Sequence, residues 1–153
     1  MESIKKKTII FISILIVIVL AIIIGYKKCN DVKQSLIGKT YSGIASTYED
    51  YKMVEGDTFY LVIEFLDKRT CNISYVHYEN EGHKSYKHGK DEYKGVAYSL
   101  SFGFGGLKLK LQRPAPQTNE VFKISEENGQ IIITTDDFKN GLPLTMQEGL
   151  AWE

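Results

Sequence analysis

Residues 8–26 carry no charged side chain, and most of them are Ile, Val, Leu or Phe. As a helix rising about 1.5 Å per residue, this run is about 28 Å long, close to the hydrocarbon thickness of a bilayer. Its many isoleucines would favour a strand in water. Hydrocarbon offers no partner to an open strand edge, so the backbone must satisfy its own hydrogen bonds as a helix. The sequence therefore predicts one transmembrane helix over 8–26, anchored through Thr8, Ile16 and Tyr26, behind a short tail over 1–7.

A cleaved signal peptide would need a shorter apolar core followed by small residues in an A-x-A-like pattern. Ile24-Gly25-Tyr26-Lys27 has no such site, and Tyr26, Lys27 and Lys28 before Cys29 do not match a lipoprotein signal. The expectation is an uncleaved signal anchor. Lys5, Lys6 and Lys7 on one side nearly balance Lys27, Lys28, Lys33 and Lys39 on the other, so the positive-inside comparison is close. A short basic leader running straight into an apolar segment has the form of an export signal. A single-pass protein of the cell membrane is predicted, with a cytoplasmic N-terminus and the C-terminal domain outside.

Of the 153 residues, those behind the anchor suffice for one domain, and a formal net charge of zero argues against nucleic acid as a partner. Residues 27–35 are polar and without periodicity, and read as a linker. The domain is expected over 36–153. Two cysteines, Cys29 and Cys71, are too few for a disulfide framework, so the domain must rely on packing. A bridge between them is disfavoured because Cys29 lies in the expected tether. Acylation of the juxtamembrane Cys29 is a weaker option.

Within the domain, β-branched and aromatic residues cluster in short runs separated by Gly, Asn, Asp and charged pairs. These predict strands over 39–48, 58–66, 70–78, 93–102, 107–112, 120–125 and 130–135, and a last one near Leu144. Leu107, Leu109 and Leu111 alternate with Lys108 and Lys110, the pattern of a half-buried antiparallel strand. Asn128-Gly129 between two runs is a hairpin signal, because both residues take positive φ readily. So many short strands must close on themselves or form two packed sheets. An all-β antiparallel meander barrel is expected, with a β-sandwich as the alternative.

The opening Leu36-Ile37-Gly38-Lys39-Thr40-Tyr41 and the closing pair Phe122-Lys123-Ile124 and Gly129-Gln130-Ile131-Ile132-Ile133 resemble small bacterial lipocalin-like domains. That family's first strand usually carries Gly-x-Trp, whereas here the spacing is Gly38-x-x-Tyr41. The resemblance implies an antiparallel barrel whose mouth holds an apolar ligand. It rests on architecture and does not by itself assign function.

Among residues with chemistry, His77, Glu79, Glu81, His83 and His88 form the densest group of metal-ligand types. Their spacing matches no metal motif, and in a charged, Gly-containing loop such residues are ordinarily solvated, so no metal or other cofactor is expected. Phe102-Gly103-Phe104-Gly105-Gly106 lacks the helix that a phosphate-cradling loop requires after its glycines, and reads as a hairpin turn or bulge. Lys108, Lys110 and Arg113, joined by Lys123, form a basic stripe suited to anionic headgroups or to guarding an exposed face. The abundant tyrosines read mainly as core. Leu142-Pro143-Leu144-Thr145-Met146 resembles a Leu-Pro-x-Thr-Gly sorting signal but has Met146 where that signal needs Gly.

No nucleophile elbow or zinc-protease signature is present, and acid pairs such as Glu49-Asp50 and Asp136-Asp137 would point to opposite faces of a strand. A catalytic site is not expected. The function expected from these features is a membrane-anchored extracytoplasmic binding module of a bacterial envelope, for a small apolar ligand or an envelope protein. The alternatives are an envelope-complex subunit, an immunity-type interaction protein and, less favoured, a metal-dependent enzyme using His77, His83 and His88.

Overall fold

A computed structural model describes residues 2–44, 58–78, 92–112, 120–138 and 142–150. The chain opens with one helix, α1 (Glu2–Leu36), long and apolar enough over its N-terminal part to cross a membrane. The apolar side chains of α1 from Ile9 to Ile24 are almost all exposed, so this helix is not the buried core helix of a soluble domain. The stretch 27–35, expected as a linker, is helical throughout. Its periodicity is present but sparse: Gly25, Cys29, Val32 and Leu36 recur at helical spacing on the face turned toward the domain, while Lys27 and Gln34 are exposed on the opposite one. Beyond Leu36 the helix stops at Gly38, whose φ of +73° suits a residue without a Cβ, and the Lys39 N–H donates back to the Leu36 carbonyl at 3.0 Å.

Eight strands follow: β1 (Thr40–Ile44), β2 (Thr58–Phe65), β3 (Thr70–Tyr78), β4 (Glu92–Gly103), β5 (Gly106–Gln112), β6 (Glu120–Glu127), β7 (Gln130–Phe138) and β8 (Leu142–Glu148). Each pairs antiparallel with its neighbour in sequence, and β8 returns to β1, closing the barrel. Closure removes the free edges that a sandwich would leave, and decides between the two expected architectures. The expected strands fall on the observed ones within a few residues; the part of the first that runs past Ile44 lies outside the described residues.

Alternation along the strands sends one set of side chains inward. Tyr41, Ile63, Ile73, Tyr98, Leu109, Phe122, Ile133 and Met146, one from each strand, are among those that fill the interior. The register keeps these sets together: Tyr41 opposes Ile63, Ile63 opposes Ile73, Leu109 opposes Phe122 and Ile133 opposes Met146. Leu36 from the last turn of α1 joins the same core with no exposed surface, and Val32 packs against it from one turn earlier. The helix end thus closes one end of the barrel.

At the seam between β1 and β8 the strands come very close. A Cβ on Gly43 would overlap the Thr145 carbonyl oxygen and lie 2.9 Å from Met146 Cγ, so this position excludes a side chain. Ser42 Oγ donates to the Gly149 carbonyl at 2.8 Å and the Gly149 N–H donates to the Thr40 carbonyl at 2.9 Å, tying the seam at its end. Asn128 and Gly129 take φ of +52° and +78° in the expected two-residue turn, with Glu127 opposite Gln130.

An up-and-down barrel has two rims. The α1–β1 junction and the β2–β3, β4–β5 and β6–β7 turns lie at the rim beside α1, here the near rim. The strand ends flanking 45–57, 79–91, 113–119 and 139–141 all lie at the opposite, far rim. The near-rim connections have four residues or fewer, whereas 45–57, 79–91 and 113–119 at the far rim have thirteen, thirteen and seven.

Candidate functional site

The near rim is built by its turns. Asp67 organises β2–β3: its Oδ1 accepts from the N–H groups of Arg69 and Thr70 at 2.6 and 2.8 Å, and its Oδ2 accepts from Thr70 Oγ1 at 2.7 Å. The side-chain hydrogen bond from Thr70, then the backbone donors, hold this carboxyl below the usual aspartate range. The Asp67 carbonyl accepts from the Tyr98 hydroxyl at 2.8 Å, linking the turn to the barrel interior. Tyr98 stacks edge-on against Phe65, which stacks edge-on against Tyr41.

Next to it, β4 runs past its last pairing with β3, Thr70 opposite Ala97, into a two-residue turn at Phe104-Gly105, with Gly103 opposite Gly106 and Gly106 at φ +84°. This is the hairpin expected from the glycines. Phe102 has the inward parity of Tyr98 and Leu100, but at its level the barrel has ended and its ring meets α1 instead. A Cβ on Gly25 would lie 3.0 Å from Phe102 Cδ1, so the glycine lets hairpin and helix touch. Lys28 Nζ lies 5.7 Å from the Phe102 ring centroid, a cation over an aromatic face. Between hairpin and helix runs an open groove of about 750 Å³, walled by Ile18, Ala21 and Ile22 on α1 and by Leu100, Phe102 and Phe104 on the hairpin. Phe104 is wholly exposed at the turn.

Neither Gly25 nor Phe104 stands out as a functional residue in the sequence. The signal for Phe104 is a large apolar residue inside a tight turn, where Gly, Asn, Asp and Ser are usual. Gly25 is hidden because every face of an apolar helix looks alike.

The metal candidates are not brought together by described residues. His77 lies on β3 with its backbone opposite Phe59, at the far rim, whereas Glu79, Glu81, His83 and His88 lie outside the described residues. Of the basic stripe, Lys108 and Lys110 point outward from β5, Lys108 stands opposite Lys123, and Lys123 is ion-paired with Asp136. Arg113 lies outside the described residues. Cys29, half-buried on α1, and Cys71, buried in the barrel with its Sγ 3.6 Å from the Val96 carbonyl, are not joined in a disulfide. Met146 of the sorting-signal look-alike is a core residue of β8.

Tyr41, Tyr75 and Tyr98 are buried as core. Burial, and then the negative charge of Glu148, push the Tyr41 phenol up to about 12. For Tyr98, burial and then Cys71 and Asp67 do the same, also to about 12. The Tyr41 hydroxyl is buried without a hydrogen-bond partner, whereas that of Tyr98 has one.

Comparison of the chain with family models, with curated proteins and with solved structures gave no match. A closed eight-stranded barrel is shared by many unrelated functions, so the architecture does not identify a lipocalin-like protein.

Proposed function

We propose that this chain is a single-pass membrane protein whose α1 holds a non-enzymatic β-barrel binding module against the outer face of a cell membrane, with the far rim turned toward an envelope partner. The observation that carries this reading is the continuity of α1 into the barrel core. Leu36, the last residue of a helix whose stretch from Ile9 to Ile24 is exposed and apolar, is buried among barrel side chains. A signal sequence has no need to be part of the mature fold, whereas Gly25, inside the uncharged run, packs against Phe102 of β4.

The interior bears on the choice of partner. Tyr41, Phe65, Leu109, Leu111 and Phe122 fill it with no exposed surface, which favours a binding surface at the far rim over an apolar ligand held inside the barrel. The small-ligand reading would need an opening that these side chains leave no room for at their level.

The test is site-specific photo-cross-linking in native membranes, with the photoreactive residue at Glu92 or Gln112 on exposed far-rim strand ends and at Glu126 near the opposite rim. Discrete adducts from Glu92 or Gln112 but not from Glu126 are expected. Adducts from Glu126 alone, or from none of the three, would contradict a far-rim partner.

A further inference from the structure

We propose that the β4–β5 hairpin is a second membrane contact: the Phe102 and Phe104 rings enter the leaflet alongside α1, and a phospholipid acyl chain occupies the groove between hairpin and helix. This rests on the reading of α1 as a membrane anchor.

Gly25, which touches Phe102, adjoins Tyr26 at the end of the uncharged run, and the groove extends along α1 to Ile18. At 1.5 Å per residue, Ile18 lies about 10 Å further along the helix than Gly25, the depth to which interfacial elements bury their apolar faces. Any bilayer that accepts 8–26 of α1 must also accommodate the hairpin lying beside it.

The chemistry of the tip agrees. Along β4 and β5 the outward positions are polar, with Ser99, Ser101, Lys108 and Lys110. At the turn this changes, and Phe104 presents its full surface with nothing from this chain covering it. The groove wall opposite is Ile18, Ala21 and Ile22, with Asn30 and Lys33 only at its other end beyond Cys29, so from Gly25 to Ile18 hairpin and anchor offer one apolar surface. Acyl chains match both walls and are what surrounds an anchor of this composition.

Charge fixes how far the tip goes. Lys28 sits over the Phe102 ring, and the Lys108 ammonium lies over the turn, 3.5 Å from where a Gly105 Cβ would stand. Lysines beside aromatic rings are the residue types found where headgroups meet acyl chains, and each reaches a phosphate while its ring sits lower. The peptide groups of a hairpin turn also lack full backbone pairing and cannot sit dry in hydrocarbon. The rings therefore dip below the headgroups while the turn backbone stays at their level.

The experiment uses the full chain with Trp152→Phe, reconstituted into vesicles of phosphatidylcholine and phosphatidylglycerol, with or without bromine on the phosphatidylcholine acyl chains. Three separate variants each carry one reporter: Phe104→Trp in the hairpin, Ile16→Trp in the anchor and Glu126→Trp at the neighbouring β6–β7 turn. Phe104 and Glu126 are exposed, so their replacement leaves the core intact. The expected result is a blue-shifted emission from Phe104→Trp that falls about two-fold in brominated vesicles, with Ile16→Trp also quenched and Glu126→Trp unaffected. Quenching of Ile16→Trp without Phe104→Trp overturns the hairpin contact and leaves the anchor standing. Quenching of neither overturns the anchor and the contact together. Equal quenching of Glu126→Trp and Phe104→Trp overturns the hairpin as a specific site, since the whole near rim would then lie in lipid.

Discussion

Two tyrosines of the core make opposite demands on one hydroxyl group. Tyr98 donates its proton to the Asp67 carbonyl at 2.8 Å, whereas the Tyr41 hydroxyl is buried with no partner. Leaving a buried hydroxyl unsatisfied costs about 1–3 kcal/mol, and a satisfied one contributes about 1 kcal/mol. The same substitution should therefore change sign: Tyr98→Phe lowers stability by about 1 kcal/mol and Tyr41→Phe raises it by about as much, as read by urea denaturation. Both phenols also titrate late. Their folded values of about 12 lie above the ordinary 10.0, because burial disfavours the ionised form. The folded chain thus holds these protons more tightly than the unfolded chain does. The stability this supplies is complete below pH 10 and is lost as pH rises through 12. Absorbance titration of tyrosinate in Tyr41→Phe and Tyr98→Phe should each show one fewer late-titrating group than the parent.

Among the elements, α1 differs most from what the sequence suggests. The strands are legible because period-two alternation in segments such as Leu107 to Leu111 leaves no other solution, and the Asn128-Gly129 turn has a local chemical cause. The end of α1 is not, because Lys27, Lys28, Asn30, Asp31 and Gln34 surround a stripe of only Gly25, Cys29, Val32 and Leu36. Two members of that stripe are not strongly apolar, so the 3.6-residue period falls below notice until the barrel end that it fits is known. The hairpin groove was hidden for a related reason: Phe102 follows the inward parity of a barrel strand, and only the extra length of β4 sends it to the helix. The end of α1 makes its own prediction. Leu36→Ala removes a fully buried side chain and should destabilise the barrel by about 2–5 kcal/mol, while Gln34→Ala on the exposed face should leave it unchanged within error. Urea denaturation of both variants checks this.

At the scale of the whole molecule, an even number of strands in up-and-down order puts every second connection at the same end. The rim that α1 enters has connections of four residues or fewer, whereas 45–57, 79–91 and 113–119 leave from the other. Sequence patterning implies a closed antiparallel barrel behind an apolar helix, with helix and barrel as two bodies joined by a tether. In the structure the helix is built into the barrel through Leu36 and Val32 and runs along β4 through Gly25 and Phe102. A barrel held in this way keeps one orientation relative to the helix that enters it. The most direct test is the distance between nitroxide labels at Tyr26 on α1 and Thr145 on β8, both exposed, measured by pulsed electron paramagnetic resonance in bilayer nanodiscs. Cys29 is replaced by Ser, and Cys71, fully buried, stays in place. A single narrow distance distribution is the result expected of a helix fused to the barrel, and a broad one, as from a domain swinging on a linker, would contradict it.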